Sequence, residues 1–239
     1  MCLDIPDELR DENVAVGLVK KYFEDDPDTE RARYSGSYFE RLGGGGDRPE
    51  AACQITAEDL LAVSMLSVPV VRYYALHVLD YRAREISGLL SQIPTGIGLA
   101  DAEAADLIAE DGPAQELWRL LHDIKPRPQD RNRLGKVAAG KLLARKRPEL
   151  IPVYDSHVKE VLRRPSNDQT WWHDLRCHLV QNDDFVGELK EVRAGAGADR
   201  LSLLRTFDVM CWMFKDSGMV RPRKKGRTRR LAGPGRAGR

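Results

Sequence analysis

The chain is dominated by segments in which apolar residues recur every three or four positions, the spacing of amphipathic α-helices. The clearest stripe lies in the segment 199–215, where Leu201, Leu204, Phe207 and Met210 share one face and Asp199 is the predicted N-cap. No segment of useful length alternates apolar and polar residues, so the pattern predicts an all-α fold. Helices are predicted at 14–24, from Thr56 onward, and at 69–90, 101–110, 113–124, 130–146, 153–164, 171–192 and 199–215. The pattern over 171–192 also allows one break.

The distribution of apolar residues also predicts the domain organisation. We expect residues 1–220 to form a single all-α domain, because a chain of this length can bury a substantial core. The tail, 221–239, is basic and poor in apolar residues, so we expect it to be disordered. No apolar run reaches the roughly 18 residues of a membrane span, and the N-terminus lacks a signal-peptide pattern. A cytoplasmic protein without a membrane partner is therefore expected.

The net charge of +1 conceals an uneven distribution along the chain. Residues 1–124 carry a net charge of −13 and residues 165–220 a net charge of −3. Residues 125–164 carry +8, and the tail 221–239 carries +9. Positive charge confined to one internal segment and one tail is typical of a local surface that faces phosphate groups. Nucleic acid is therefore a candidate partner.

Cysteine and glycine spacing argues against several classes of site. The four cysteines (Cys2, Cys53, Cys177 and Cys211) lie far apart and form no C-x-x-C pair, so we expect reduced thiols and no bound metal. The run Gly43–Gly46 is not followed by Gly-Lys-Ser/Thr, so a P-loop is not indicated. No cofactor is expected.

The segment 135–164, "GKVAAGKLLARKRPELIPVYDSHVKEVLRR", carries the most information about function. In its first helix Val137, Ala138 and Leu142 fall on one face. Lys141 and Arg145 lie on or beside that face, where their stems would be buried and their charges held at the edge of the packed surface. Lys136 points elsewhere, toward solvent.

Asp155 follows Pro152 and precedes an apolar helical pattern, which is the position of an N-cap. Helix capping alone is one complete explanation of this residue. A carboxylate at a helix N-terminus is also stabilised as an anion by the backbone N–H groups. Such a fixed anion suits a reaction that passes through an oxocarbenium-like sugar cation. Both interpretations remain open at the level of the sequence.

Two short motifs at a fixed separation carry a resemblance. "GKVAA" at 135–139 is followed without gaps by "YDSHV" at 154–158. This layout resembles the helix-hairpin-helix DNA glycosylases of the endonuclease III type, which have a G-R-K-T-A-like helix start and a V-D-T-H motif about twenty residues later. In this pairing Asp155 matches the essential aspartate of that superfamily, His157 matches its histidine, and Val158 matches the aliphatic residue that follows.

The chain departs from that superfamily in two ways. Its hairpin offers only Gly135 where two glycines are usual. Val137 occupies the position of the lysine that attacks the sugar, and Lys136 is one residue, hence about 100°, out of phase. Lyase activity is therefore not expected. The sequence of residues 141–158, "KLLARKRPELIPVYDSHV", also resembles an uncharacterised family of actinobacterial proteins.

The resemblance implies a two-lobed helical bundle with its hairpin in the region 125–164. It implies that DNA is the favoured partner and that a base is extruded into a pocket between the lobes. Asp155 would stabilise the sugar cation and orient a water molecule. Tyr154 would line the pocket or support the carboxylate, and Lys141 or Arg145 would pair with Asp155.

The same resemblance predicts a surface for nucleic acid. The hairpin backbone at Gly135 would face a DNA phosphate, and basic side chains would add to its attraction. These are Arg131, Arg133, Lys136 and Arg145. Trp171 and Trp172 are candidates for stacking on a base, with core packing as the alternative.

Two other functions compete with a glycosylase. The first is a non-catalytic nucleic-acid-binding protein that keeps the scaffold and the basic surface. The second is a helical interaction protein whose basic segment docks on an acidic surface, such as residues 1–124 of the same chain. On the last helix Arg205, Asp208 and Trp212 lie at i, i+3 and i+7, and an ion pair beside a core tryptophan explains this pattern.

Overall fold

The computed structural model describes residues 3–70, 72–165 and 170–219, and these are mostly helical. In the first half the helices are α1 (Glu12–Phe23), α2 (Ala57–Met65), α3 (Tyr73–Leu76), a π-helix (His77–Tyr81), α4 (Ala83–Leu90), α5 (Ala104–Leu107) and α6 (Pro113–His122). They are followed by α7 (Lys136–Lys146), α8 (Ser156–Val161), α9 (Trp171–Gln181), α10 (Asp183–Gly195) and α11 (Leu203–Asp216). The basic tail 221–239, for which the sequence predicts disorder, lies outside the described residues.

Short elements fill part of the connection between α1 and α2. Two-residue strands, β1 (Asp25–Asp26) and β2 (Arg31–Ala32), pair antiparallel with Asp25 opposite Ala32. The 3₁₀-helices of the described residues are Asp7–Leu9, Ser35–Tyr38 and Leu42–Gly44. The prediction of an all-α fold is confirmed, because this single ladder is too short to form a layer of its own.

Several predicted helix boundaries were wrong for local reasons. The helix predicted from residue 130 begins at Lys136, because Gly135 has φ 92° and the N–H of Leu134 turns back to the carbonyl of Ile124 at 2.8 Å. The last helix is capped by Ser202, whose hydroxyl accepts from the N–H of Arg205 at 3.0 Å, and not by Asp199. The break that the pattern allowed within 171–192 is present, and it divides the segment at Asn182.

Two groups of helices build the core. Helix α11 packs against α1, α8 and α10, and most of its side chains are buried, including the tightly enclosed Val209 and Met213. Helix α7 packs against α2 and α6, and α6 in turn packs against α4. The close contact between α8 and α11 brings the segment after α7 back to the first group. The fold thereby places the N-terminal half of α7 opposite α11.

A buried ion cluster fastens α7 to α2. The carboxylate of Asp59 is fully buried and accepts from Nε of Arg145 at 3.1 Å and from Nζ of Lys146 at 3.0 Å. Asp59 also completes a capping box with Thr56 at the start of α2. A buried charge is tolerated only when it is paired and hydrogen-bonded, so one acidic side chain compensates two cations here.

The basic run at the end of α7 therefore has a structural role. Arg145 donates further to the carbonyls of Phe39 and Leu42, and Lys146 donates to that of Ala51 at 2.8 Å. Arg147 donates to the carbonyls of four residues. These are Ala52, Leu90, Ile93 and Lys146. The expectation that Arg145 contacts nucleic acid was wrong, because its guanidinium is enclosed and bonded within the protein.

Burial of these cations corrects the interpretation of the charge pattern. Lys141, Arg145, Lys146 and Arg147 are each at most 4% exposed, although the sequence places them in the segment of net charge +8. Burial lowers the pKa of Lys146 and that of Arg147, and the neighbouring Asp59 opposes this effect for Lys146. Much of the positive charge of the segment 125–164 therefore does not face solvent.

Replacement of Asp59 tests this cluster. In Asp59→Ala two buried cations lose their carboxylate, and we expect the free energy of unfolding to fall by about 3–5 kcal/mol. The matched control is Glu58→Ala, which removes the exposed neighbouring acid in the first turn of α2 and costs about 1 kcal/mol or less. Urea unfolding followed by circular dichroism measures both variants. Equal losses in the two variants would contradict the role given to Asp59.

Candidate active site

A cleft of about 490 Å³ lies between the N-terminal half of α7 and the face of α11 opposite it. The end of α2, the start of α8 and the short segment 33–36 complete its walls. Ligand sites in proteins typically have volumes of about 300–1,000 Å³, with a few polar groups placed among apolar and aromatic side chains. The cleft has this size and this composition, and Asp155 forms part of its wall.

The carboxylate of Asp155 is fixed by contacts to both of its oxygens. Oδ1 accepts from the backbone N–H groups of His157 at 2.9 Å and Val158 at 3.2 Å, which makes Asp155 the N-cap of α8. Oδ2 faces Nζ of Lys141 at 3.4 Å. The side chain is 14% exposed and reaches the cleft. Asp155 therefore both caps α8 and lines the cleft.

Lys141 is the buried partner of that carboxylate. Its side chain is 4% exposed, and Nζ also donates to the backbone carbonyl of Leu66 at 2.9 Å. The ammonium thus joins α7, the C-terminal end of α2 and the start of α8. Lys141 lies four residues after Val137, so both side chains lie on the face of α7 that lines the cleft.

Aromatic rings form the opposite wall of the cleft. The imidazole of His157 stacks on Trp212 with centroids 5.2 Å apart and planes inclined by 19°. Tyr34 stacks on Tyr22 at 5.4 Å and meets Trp212 edge-on at 5.2 Å. The hydroxyl of Tyr34 donates to Oδ2 of Asp216 at 3.1 Å, which fixes its ring. Flat apolar faces of this kind bind planar ligands.

A second carboxylate, that of Asp208, lies beside the aromatic wall. It is 3% exposed, lines the cleft and accepts from Nη1 of Arg205 one turn earlier on α11. Burial raises the pKa of Asp208 to about 6; the attraction of Arg205 opposes this shift and the negative charge of Asp155 adds to it. The pKa of Arg205 is raised well above its ordinary value, because the acidic groups around it outweigh its burial.

The structure brings three of the four predicted catalytic residues to the cleft. Asp155, His157 and Lys141 all line it. The fourth, Tyr154, is not among the residues that line it. Its hydroxyl donates to the carbonyl of Pro165 at 3.2 Å, and its ring packs against Trp171 with centroids 5.1 Å apart.

Of the predicted nucleic-acid-binding residues, Arg131, Arg133 and Gly135 lie on the connection between α6 and α7, and Lys136 is the first residue of α7. Arg131, Arg133 and Lys136 are exposed, and Arg133 forms an ion pair with Asp123. Gly135 closes the connection, because its N–H donates to the carbonyl of His122 at 3.3 Å. The connection leads into α7 directly before Val137, which lines the cleft.

The positive charge near the connection between α6 and α7 also contributes to a lowered pKa of a histidine, His122. Burial, together with the nearby charges of Arg133 and Lys136, lowers the pKa of His122. Its ring stacks on Trp118 with centroids 5.0 Å apart. Near neutral pH the imidazole is therefore uncharged, and the positive potential of this surface comes from arginine and lysine.

The sequence analysis did not predict that aromatic rings and Asp208 line the cleft. It assigned Arg205, Asp208 and Trp212 to an ion pair beside a core tryptophan, and the ion pair is present. Their spacing already placed them on one helical face, but only the packing of α11 against α8 puts that face into the cleft. The stacking candidate Trp171 is buried against Tyr154 instead.

The described residues contain no helix that combines the length and apolar character of a membrane span. They also contain no group of three or more histidine, cysteine or acidic side chains arranged to hold a metal ion.

Comparison with known proteins identifies a family but no activity. The model of the Family of unknown function (DUF6308) matches residues 15–215, a span that includes every cleft residue described above. No curated protein and no solved structure matches the chain. The resemblance to helix-hairpin-helix glycosylases therefore stays a hypothesis that rests on two short motifs.

Titration of Asp208 has a consequence for stability. Its folded pKa of about 6 lies above the ordinary value of 3.8, so the folded state binds more protons than the unfolded state between these limits. This group therefore lowers the free energy of unfolding as the pH rises from 4 to 7, by up to about 3 kcal/mol. Asn at position 208 cannot titrate. We expect the free energy of unfolding of the wild type, minus that of Asp208→Asn, to fall between pH 4 and pH 7 when both are unfolded in urea. A difference that does not change with pH would contradict the raised pKa of Asp208.

Proposed function

The chain belongs to the Family of unknown function (DUF6308), and from the geometry of the cleft we propose that it hydrolyses an N-glycosidic bond of a nucleic acid, with DNA favoured. One observation carries this proposal. The carboxylate of Asp155 is held by the first turn of α8 and by Lys141, in the wall of a cleft with aromatic sides. A fixed anion beside a pocket for a planar ring is what the departure of a base from a sugar requires.

The chemistry follows from the position of the anion. A base that is flipped out of the nucleic-acid duplex enters the cleft and lies against the rings of Trp212 and His157. The bond between C1′ of the sugar and the base nitrogen breaks, and Asp155 stabilises the positive charge that develops on the sugar. The oxygen of a water molecule, oriented by Asp155, forms the new bond to C1′. One proton of that water leaves to solvent, and the departing base gains one.

Lys141 acts in this scheme as a positioning residue. Its ammonium is buried and donates to the carbonyl of Leu66 as well as to Asp155. An ammonium bound in this way keeps the carboxylate in place and is a poor nucleophile, because attack on the sugar needs a free amine. The aliphatic Val137 stands where the resemblance puts the lysine of the lyase-capable enzymes. We therefore expect base release without strand cleavage.

Basic residues in the segment that leads into α7 support a nucleic acid as the substrate. Residues 125–136 contain five lysine or arginine residues and one aspartate. Of these, Arg131, Arg133 and Lys136 are exposed, and Lys136 directly precedes Val137 in the wall of the cleft. Phosphate contacts supply most of the affinity of proteins for nucleic acids and fix the position of the strand.

A non-catalytic nucleic-acid-binding protein is the second candidate. The observation that favours it is the long connection of residues 123–135 between α6 and α7, in place of the tight hairpin of the glycosylases. On this alternative Asp155 only caps α8. The two candidates share the basic surface and differ in whether the carboxylate is needed.

The role of Asp155 is tested by Asp155→Asn. Asparagine caps helices about as well as aspartate, and the carbonyl of Leu66 still accepts from Lys141, so we expect the fold to be retained at reduced stability while the negative charge is lost. We expect the rate of base release from a panel of damaged and mismatched duplexes to fall by about 10²–10³-fold. Release is measured under single-turnover conditions by chromatography of the free base.

The matched control is Asp11→Asn, because Asp11 caps α1 through the N–H of Val14 at 3.1 Å and does not line the cleft. This control should leave the rate of base release unchanged. If the wild type releases no base from any duplex, or if Asp155→Asn is as active as the wild type, the enzymatic proposal fails.

Charge reversal tests the binding surface. We expect replacement of Arg131, Arg133 and Lys136 by glutamate to weaken duplex binding by at least tenfold and to reduce its salt dependence. Fluorescence anisotropy at several salt concentrations measures both effects. The protein used should end at Met219, because the basic tail would bind polyanions by itself.

Reversal of Lys20, Lys21 and Lys190 is the control. These three exposed lysines lie on α1 and α10, outside the cleft, and carry the same total charge. If this triple variant loses as much affinity as the first, binding depends on net charge alone. The assignment of a specific surface would then be wrong.

A further inference from the structure

Asp208 occupies a central position on the face of α11 that lines the cleft. Arg205, one turn earlier, and Trp212, one turn later, line the same cleft. The residue is 3% exposed, so it lies at the base of the cleft and not on its rim. An acidic side chain enclosed in this way is unusual unless all its oxygens are bonded.

One of the two oxygens of this carboxylate has no donor. Oδ2 accepts from Nη1 of Arg205. Oδ1 is buried and has no hydrogen-bond partner among the described residues. Most buried polar atoms of native proteins are bonded, so an exception at the wall of a cleft is a position where a ligand or a water molecule can supply the missing donor.

Arg205 does not supply the second hydrogen bond, because four of its five N–H groups donate to other acceptors. Nε donates to Glu40, and Nη2 donates to the hydroxyl of Tyr22 at 3.0 Å and to the carbonyl of Gly36 at 3.2 Å. With Nη1 on Asp208, every nitrogen of the guanidinium has an acceptor. The ion pair therefore leaves Oδ1 of Asp208 as an acceptor without a donor, on a residue that lines the cleft.

The surroundings of Oδ1 restrict the chemistry of a ligand. The stacked rings of His157 and Trp212 favour a flat ring system. An anionic group next to Oδ1 is disfavoured by the charge of Asp208 itself, although Arg33 also lines the cleft. The described residues offer no set of three metal ligands there. A neutral heterocycle with a polarised N–H group satisfies the acceptor and fits the aromatic wall.

We infer that Asp208 is the residue that selects the base: its Oδ1 accepts a hydrogen bond from an N–H group of a nucleobase held against Trp212. The inference rests on the proposed function in that it names the group which the same cleft recognises. A buried acceptor rejects a ring without the matching donor, because its oxygen is then left unpaired in the complex.

The test measures equilibrium binding and requires no catalysis. The probes are adenosine, guanosine, cytidine and uridine, whose bases carry N–H donors, and purine riboside and 2-pyrimidinone riboside, whose bases carry none. We expect the wild-type protein to bind at least one donor-bearing nucleoside about tenfold or more tightly than the donor-free riboside of the same ring size. NMR titration of the isotopically labelled protein measures dissociation constants into the millimolar range.

The informative variant is Asp208→Asn. The amide oxygen of asparagine can still accept from Arg205, and its NH₂ group then faces the cleft as a donor. We expect the preference for donor-bearing nucleosides to shrink to about threefold or less. The control is Asp174→Asn, which alters an ion pair with Arg164 outside the cleft and should leave the preference intact.

Three results would overturn the inference. They are equal binding of donor-bearing and donor-free ribosides by the wild type, no binding of any probe at millimolar concentration, and a preference that persists in Asp208→Asn. If that variant does not fold, a crystal structure of the wild type with its tightest nucleoside decides the matter. A base N–H within about 3.2 Å of Oδ1 of Asp208 supports the inference, and any other arrangement refutes it.

The outcomes separate this inference from the proposed function. Selective nucleoside binding without base release from any duplex would refute hydrolysis and keep Asp208 as a recognition residue. Base release that depends on Asp155, without any preference for N–H donors, would refute the role of Asp208 alone.

Discussion

The contact between Lys141 and Asp155 is the interaction on which the rest of the site depends. One buried ammonium is shared by a carboxylate on α8 and a backbone carbonyl at the end of α2, while its own stem belongs to α7. Three elements distant in sequence are thereby held at one point. A charge in this position must keep its partners, because an unpaired buried ammonium costs several kcal/mol. The wall of the cleft is therefore fixed by the same electrostatic requirement that stabilises the fold.

Buried ion pairs also occur in two other parts of the structure. Asp59 compensates Arg145 and Lys146, and Arg205 bridges Glu40 and Asp208. The first cluster joins α7 to α2, and the second joins α11 to Glu40 in the segment before α2. These side chains align helices through directional hydrogen bonds, which apolar contacts alone do not provide. Positive charge that serves this purpose is not available to a polyanion, whereas the exposed Arg131 and Arg133 of the connection 123–135 are.

Helix α11 has a double role in the molecule. Its apolar side chains, such as Val209 and Met213, form the core with α1 and α10. Its polar face provides Arg205, Asp208 and Trp212 to the cleft. Because one rigid helix carries both, the carboxylate and the aromatic ring keep a constant separation. Site residues held on packed helices are placed more accurately than residues on loops.

The sequence by itself determined the helical class, the capping position of Asp155 and the face of α7 that carries Lys141, because these depend on local periodicity and on neighbouring residues. It also marked the segment 135–164 as the centre of the candidate site. It did not distinguish a buried arginine from an exposed one, so Arg145 was placed on the surface. Whether a cation faces water or a carbonyl depends on which other segments pack over it. Likewise, Asp208 became part of the cleft only when α11 packed against α8, a contact between residues about fifty positions apart along the chain. Tertiary packing decided these points because burial and long-range pairing leave no periodic signal in the sequence.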